Sequence, residues 1–364
     1  DKNGKKTPEL LSYLDYVALA TICDSMPLIG VNRAFVKQGV KIAQRLHSIG
    51  LTALARARSI DSPLNTYHLG YILGPCLNAS GRIGNCHLAS ELLICNDTKR
   101  AEEIACHLVE LNKQRQDLEQ LYLLQAKTQI EEKFKNTAVP EVLVLAYKDW
   151  HQGLVGLLAG RLKELYNKIT FVFSIGDDGN LVGSARSLAG YDLSKIIAAA
   201  LKEGLIERGG GHAMAAGMSL RLEKLEDFQQ WLNDVVGKMA LQGEKKILEI
   251  DSILTAPSAT ITLYNELERA GPYGMANPRP VIALMEHKLL YLREVGKGHL
   301  AFTLATHNGK KLKGIAFRAA QTVLGDFLET NRGNFINAAG HFEVSYHRQA
   351  ATPQLQLLDA ACCG

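Results

Sequence analysis

Three consecutive glycines stand directly before a histidine in the segment RGGGH, residues 208–212. Glycine in regular structure costs about 0.5–1 kcal/mol per residue, so a run of three predicts a specific use for the absent Cβ atoms. Exposed backbone N–H groups in such a run form a nest that binds anions. The residues predicted to bind a phosphate here are Gly209, Gly210, Gly211 and His212.

Three further segments combine glycine with side chains that suit phosphate: GPCLNASGRI (74–83), DWHQG (149–153) and GSARS (183–187). A guanidinium group pairs bidentately with phosphate oxygens, and hydroxyl, amide and imidazole groups supply further donors. The candidate side chains are Asn78, Ser80, Arg82, His151, Ser184, Arg186 and Ser187. Each segment alone is more simply explained as a structural turn, but four of them in one chain favour a phosphate ligand. The sequence has no P-loop lysine motif, HExxH or GxSxG, so these residues leave the reaction class open.

An acidic residue follows the apolar run VALATIC (17–23), which ends at Asp24. A strand that ends in this way aims a carboxylate into a site at the edge of a sheet. On this interpretation the first 98 residues are helical with one strand. The alternative is that Asp24 caps the next helix.

The rest of the chain divides by its hydrophobic periodicity. Residues 98–135 contain no Gly or Pro and repeat apolar residues at helical spacing, which predicts a long helix that bridges domains. Residues 137–242 alternate strand and helix patterns, with a hairpin turn at 177–180, which predicts an α/β domain. After Gly243, short strands with one helix near TLYNELERA predict a small, partly open β-barrel.

The composition is that of a globular protein, with 364 residues, 47% of them hydrophobic and 21% charged. No apolar run approaches the roughly 20 residues that span a bilayer, and no signal-peptide pattern opens the chain, so we expect no membrane partner. The seven cysteines include no CxxC pair, which predicts reduced thiols in the cytoplasm. The net charge of +4 is compatible with a polyanionic partner.

Several of these segments resemble those of one enzyme family. GGGHAMAAG resembles the signature of the DHHA1 domain found in DHH-family phosphoesterases. GPCLNASGRI, DWHQGLVGLLAGRL and GSARS resemble, in the same order, motifs of the RecJ family of bacterial single-strand-specific DNA exonucleases. DYVALATICDSMPL resembles the end of the catalytic DHH domain of that family, and GPYGMANPRPVI resembles the start of its OB-fold.

The resemblance implies an α/β chain with four parts. These are the C-terminal portion of a DHH catalytic domain (1–98), a connecting helix (99–136), a DHHA1 domain (137–242) and an OB-fold β-barrel (243–364). It further implies a 5′ to 3′ exonuclease that acts in DNA repair and recombination and releases mononucleotides from single-stranded DNA with Mn²⁺ or Mg²⁺. Single-strand-binding protein and a helicase are the implied partners.

The sequence departs from the family at the metal site. It contains no Asp-His-His motif, and of the family's metal ligands only the last aspartate has a counterpart, Asp24. One carboxylate is too few hard ligands for a two-metal site. We therefore expect a fragment that is inactive alone, with Asp24 as its one catalytic, metal-binding residue.

Two other functions are compatible with the same motifs. A DHH phosphodiesterase of short oligonucleotides shares the DHHA1 signature but should lack the β-rich region 243–364. A non-catalytic module would hold single strands without cutting them, using aromatic and basic residues of the barrel. Those residues are Phe302, Phe317, Tyr346, Arg318, Arg293, Lys297, Lys310, Lys311 and Lys313. Aromatic residues that fill the barrel interior, and lysines on a plain solvated surface, are the alternative.

Overall fold

The computed structural model of the chain describes residues 9–239, 247–296, 298–347 and 350–363, except for the side chains of Tyr346, His347 and Ala350. The chain forms two compact units. One comprises residues 1–45, 64–69 and 246–364, and the other comprises residues 46–63 and 70–245.

The helices and strands of both units are numbered in chain order. The α-helices are α1 (Leu14–Cys23), α2 (Gly30–Ala43), α3 (Ile49–Ala57), α4 (Gly74–Ile83), α5 (His87–Ile94), α6 (Thr98–Lys133), α7 (Val155–Tyr166), α8 (Leu193–Lys202), α9 (Leu225–Met239), α10 (Ile261–Ala270) and α11 (Val323–Thr330). The strands are β1 (Val142–Tyr147), β2 (Ile169–Ile175), β3 (Asn180–Arg186), β4 (Arg208–His212), β5 (Ala215–Arg221), β6 (Ser252–Leu254), β7 (Val281–Val295), β8 (His299–Ala305), β9 (Lys311–Ala316), β10 (Phe335–His347) and β11 (Ala350–Cys362).

The unit that contains residues 70–245 is built on a five-stranded sheet of order β1-β2-β3-β5-β4. Strands β1 and β2 are parallel and joined through α7, whereas the pairs β2–β3, β3–β5 and β5–β4 are antiparallel. One face packs Phe171 and Phe173 of β2 against Phe228 of α9 and against α8. The opposite face packs Val172 against α7 and the second half of α6. The predicted α/β domain is confirmed.

Helix α6 extends for 36 residues, which confirms the predicted long helix. Its first turn is capped by Asp97, whose carboxylate accepts from the backbone N–H of Arg100 at 3.0 Å. The first half buries Ile104 and Leu108 and packs against α3, α4 and α5, while the second half buries Tyr122 beneath the sheet. One helix therefore supports both halves of this unit.

The other unit contains a closed barrel of five strands. The sheet order β10-β11-β9-β8-β7-β6 is closed by pairing of β10 with β7, and β6 adds a short parallel strand outside the ring. Phe302 fills the interior against Gly314, where the ring occupies the position of a Cβ atom. The predicted barrel and its helix α10 are confirmed. Helix α11, which connects β9 to β10, is a further element that its short pattern did not predict.

The predicted strand before Asp24 is wrong. Residues 14–23 form α1, which buries Ala18 and Leu19 on one side, and Asp24 continues the helical bonding by donating its N–H to Ala20 O at 2.9 Å. The residue after this cap, Ser25, has a positive φ of 52° and turns the chain away from the helix. Asp24 is thus the exposed C-terminal cap of a helix, neither at the end of a strand nor at the start of α2.

Candidate phosphate-binding site

The outer strands of the five-stranded sheet have one buried and one open face. Ala185 of β3 and Met218 of β5 are buried, whereas Ser184 and Gly217 lie on the other face and are partly or fully exposed. Because side chains alternate along a strand, the open face is shared by every second residue of β3, β5 and β4.

Two rows across these strands contain several predicted phosphate ligands. One row consists of Ser184, Gly217 and Gly210, and the next consists of Arg186, Ala215 and His212. Neighbouring strands lie about 4.8 Å apart, so the backbones of Arg186 and His212 are separated by about 10 Å, with one alanine between them. The sheet therefore brings GSARS and RGGGH side by side.

The three glycines form the edge strand β4 rather than the loop that a nest would require, and each has its own environment. A Cβ at Gly209 would lie 2.6 Å from Cγ2 of Ile197 in the core. A Cβ at Gly211 would collide with the backbone oxygen of Ala215 on β5. A Cβ at Gly210 would have no contact within 4 Å. Two glycines are therefore explained by packing, and only Gly210 leaves backbone open to a ligand.

Arg186 is held in place by its neighbours on β3 and by α7. Its Nη1 donates to Ser184 Oγ at 2.9 Å and to the Ala185 carbonyl at 2.8 Å. A Cβ at Gly156, in the first turn of α7, would lie 3.1 Å from both Arg186 Nη2 and Ser184 Oγ. The glycine thus lets the guanidinium group lie against the positive end of the α7 dipole, where an anion is favoured.

Arg82 reaches the same end of α7 from α4. Its Nη1 donates to the carbonyl of Gly153, just before the helix, at 3.0 Å. The Arg82 carbonyl in turn packs so closely on Gly153 that a Cβ there would collide with it. Asn78 lies one turn before Arg82 on α4 and is exposed, so the i, i+4 spacing puts the two on the same side of the helix.

Arg82 and Arg186 lie close enough that, besides burial, the charge of Arg82 lowers the pKa of Arg186. The pKa of Arg186 is lowered by burial and then by the charge of Arg82. The pKa of Arg82 is lowered by burial and by Arg115, and the Glu119 carboxylate partly opposes this. Like charges held together in a partly buried place are stabilised by a bound anion, which makes this arrangement suited to phosphate.

His151 is fixed in the loop before α7. Its Nδ1 accepts the N–H of Gly153 at 3.1 Å, so the neutral ring carries its proton on Nε2, and the side chain is exposed. The loop is anchored on α6, because Trp150 donates to Gln125 at 2.8 Å and the His151 N–H donates to the Tyr122 hydroxyl at 3.1 Å. The ring therefore offers a positioned N–H donor to solvent.

Two predicted ligands face away from the open surface. Ser80 is buried and its hydroxyl donates to the carbonyl of Leu77 in its own helix at 2.9 Å. Ser187 is buried, and its hydroxyl donates to the carbonyls of Leu188 and Tyr191 at 3.2 and 3.3 Å. Both hydroxyls are satisfied internally, so neither belongs to the candidate site.

A partly buried carboxylate that sequence reasoning missed pairs with two further arginines, Arg115 and Arg161. Glu119 of α6 accepts from Arg115 Nη1 at 2.6 Å and from Arg161 Nε of α7 at 2.9 Å, and its side chain is only 13% exposed. The i, i+4 spacing of Arg115 and Glu119 is a signal in the sequence. Their connection to Arg161, 42 residues from Glu119, is not.

The described residues do not assemble a metal site. Among them, no three His, Cys, Asp or Glu side chains are placed to hold one ion. Asp24 offers a single exposed carboxylate. A Mn²⁺ or Mg²⁺ ion takes about six oxygen ligands, so this donor set does not fit the metal by itself.

The barrel has its own groove of about 390 Å³, which contains part of the predicted single-strand surface. Its lining residues include Tyr291, Thr303, Lys311, Lys313, Thr352 and Pro353. Phe302 fills the barrel interior, as the alternative interpretation had it, whereas Phe317 is exposed and stacks edge-on against His299. Lys297 and the side chain of Tyr346 lie outside the described residues.

Two known domain families match the chain, one in each of its two units. The DHHA1 domain family matches residues 140–238, and the RecJ OB domain family matches residues 250–359. The chain belongs to the RecJ family.

Relatives of the RecJ family extend the match across the chain. A protein from Dickeya dadantii called single-stranded-DNA-specific exonuclease RecJ is 35% identical over 325 residues, 87% of this chain and 56% of that protein. The Escherichia coli protein of the same name is 35% identical over 328 residues, with the same two shares. The chain thus spans about half the length of the curated relatives it matches.

Solved structures of the family share the fold. RecJ from Thermus thermophilus in complex with Mn²⁺ matches with a TM-score of 0.81 at 26% identity, over 100% of this chain and 52% of that one. The complex of the same protein with Mg²⁺ matches with a TM-score of 0.79. None of the helices described here has both the length and the hydropathy to cross a membrane.

Proposed function

We propose that the chain contributes the substrate-binding part of a metal-dependent exonuclease that degrades single-stranded DNA from 5′ to 3′ and releases mononucleotides. The observation that carries the proposal is the pair Arg82 and Arg186. Both guanidinium groups lie at the N-terminal end of α7, beside an open, glycine-lined sheet face. The names of the relatives support single-stranded DNA as the anion.

The residues of this site bind and orient a phosphodiester. Arg186 and Arg82 pair with its oxygens through charge-assisted hydrogen bonds, and His151 donates from Nε2. Gly210 and Gly217 carry no side chain, so a sugar or base can lie close to the sheet. We assign these residues binding and orientation, and no step of the hydrolysis.

For the whole enzyme we propose Mn²⁺ or Mg²⁺ as cofactor, with Asp24 as one of its ligands, on the strength of the Thermus complexes. We further propose action in DNA repair and recombination beside single-strand-binding protein and a helicase. The seven cysteines, all at described positions, are free thiols, which supports a cytoplasmic location. The proposed domain boundaries are 1–98, 99–136, 137–242 and 243–364.

The barrel groove is proposed as a separate contact for the same single strand. Tyr291 is 45% exposed and offers an aromatic platform, and Lys311 and Lys313 line the same groove. Base–aromatic stacking and lysine–phosphate attraction bind single strands with little sequence preference. A barrel of this kind argues for long single strands over the very short substrates of the related phosphodiesterases.

The test is titration of the chain with 5′-phosphorylated (dT)₁₂. Arg186→Ala removes a charge-assisted pair and is expected to weaken binding by about 1.5–3 kcal/mol, roughly 10- to 150-fold. Arg100→Ala is the matched control, since Arg100 is an exposed arginine of the same unit that pairs with Glu91 on the surface.

The proposal fails if Arg186→Ala lowers the melting temperature while the affinity of the folded protein for (dT)₁₂ stays at the wild-type value. That result would make Arg186 a structural residue of β3. Tight binding without any cleavage by a complete enzyme that carries this chain would favour the non-catalytic module instead.

A further inference from the structure

We propose that Arg208 forms a second phosphate subsite, at the outer edge of the sheet and across the glycine floor from Arg186. The proposal rests on the proposed function, since it extends the path of the same single strand. Arg208 precedes the three glycines and opens strand β4, and its side chain is exposed.

The strand register puts Arg208 on the open face. Arg208 pairs with Ser219, which pairs with Val182 of β3. Gly209 points to the core, because its Cβ position lies 2.6 Å from Ile197. Successive residues of a strand point to opposite faces, so Arg208 shares the face of Gly210.

The floor between the two arginines is open. At Gly210 no atom lies within 4 Å of the Cβ position, and at Gly217 the only neighbour among the described residues is the Gly183 carbonyl at 3.9 Å. Ala215 completes the floor in the row of Arg186. At Gly210 and Gly217 a bound DNA strand would meet backbone, and around them it would meet the small side chains of Ser184, Ser219 and Val182.

The charges of this face are almost all of one sign. Besides Arg186, the outer strands carry Arg208 and Arg221 at positions of the open face. The Glu207 carboxylate pairs with Arg221, with 3.0 Å between Glu207 Oε1 and Arg221 Nε. Among the described residues, Arg208 has no carboxylate partner, so its charge is available to an anion.

The backbone distance between Arg186 and Arg208 is large compared with the size of one phosphate group. The rows of Arg186 and Arg208 are four residues apart, which is about 13 Å along the strands, and two strands add about 10 Å across them. These backbone separations favour contact of the two guanidinium groups with different phosphates of one oligonucleotide. Arg208 should therefore matter for an oligonucleotide and not for a single nucleotide.

The experiment compares dTMP and (dT)₆ as ligands of the 364-residue chain with Arg208→Gln. We expect dTMP affinity to stay within twofold of wild type. We expect (dT)₆ affinity to fall about two- to fivefold, as for one exposed ion pair, and its log–log salt slope to shrink by about 0.7. The control is Lys195→Gln, which removes an exposed charge from α8 on the opposite face of the sheet and should change the affinity for neither ligand.

Two results would overturn the subsite while leaving the proposed function intact. In one, Arg208→Gln binds (dT)₆ with wild-type affinity and salt slope. In the other, it loses affinity for dTMP and (dT)₆ equally, which would put Arg208 in the first phosphate site. Absence of any binding of dTMP and (dT)₆ by the wild-type chain would overturn the proposed function, and the subsite with it.

Discussion

At the residue scale, substitution of Gly156 distinguishes a role of Arg186 in ligand binding from a role in stability. It lies inside α7, where alanine is favoured over glycine by about 1 kcal/mol, but its Cβ would lie 3.1 Å from Arg186 Nη2. The guanidinium end of a flexible side chain can move aside at little cost. We therefore expect Gly156→Ala to keep or raise the melting temperature while weakening the binding of (dT)₁₂ several-fold, as measured by thermal melts and titration.

The control for this prediction lies one turn further along the same helix. Gly160 has no atom within 4 Å of its Cβ position, so Gly160→Ala should gain the same helix propensity and bind (dT)₁₂ like wild type. If Gly156→Ala also bound like wild type, the position of the Arg186 guanidinium group would be irrelevant to the ligand.

At the element scale, Glu119 connects α6 to α7 beneath the phosphate site. Its partner Arg115 is only 11% exposed, and a charge left there without its carboxylate is poorly solvated. We expect Glu119→Gln to lower the free energy of unfolding by about 1–3 kcal/mol, measured by urea denaturation.

Glu164 provides the matched comparison. It also pairs with Arg161, at 3.7 Å, but its side chain is 64% exposed. Exposed pairs contribute about 0–1 kcal/mol, so Glu164→Gln should be nearly neutral. Equal losses for the two variants would show that burial of Glu119 is not what makes its ion pairs important.

At the scale of the whole molecule, we expect the 364-residue chain to bind single-stranded DNA without degrading it. Its described residues bring together no three metal-binding side chains, and Asp24 stands alone. The measurement is incubation with 5′-phosphorylated single-stranded DNA and Mn²⁺ or Mg²⁺. Metal-dependent release of mononucleotides that Asp24→Ala abolishes would contradict this expectation.

The sequence by itself determined the classes of element and the motifs. The long helix, the α/β domain and the barrel were predictable because their hydrophobic periodicity extends over many residues, and periodicity is a local property. The segments GSARS, RGGGH and DWHQG were recognisable as phosphate-type motifs because glycine, serine, arginine and histidine are informative wherever they cluster.

Only the tertiary structure decided which of those side chains face a ligand. Ser80 stands between the small residues Ala79 and Gly81, which give no sign of its burial, and that burial depends on how α4 packs on α6. VALATIC is apolar on all sides, so periodicity could not tell helix from strand. Glu119 meets Arg161 only because α6 and α7 pack together. The direction of a side chain is set by contacts between residues distant in sequence, and local pattern contains no record of them.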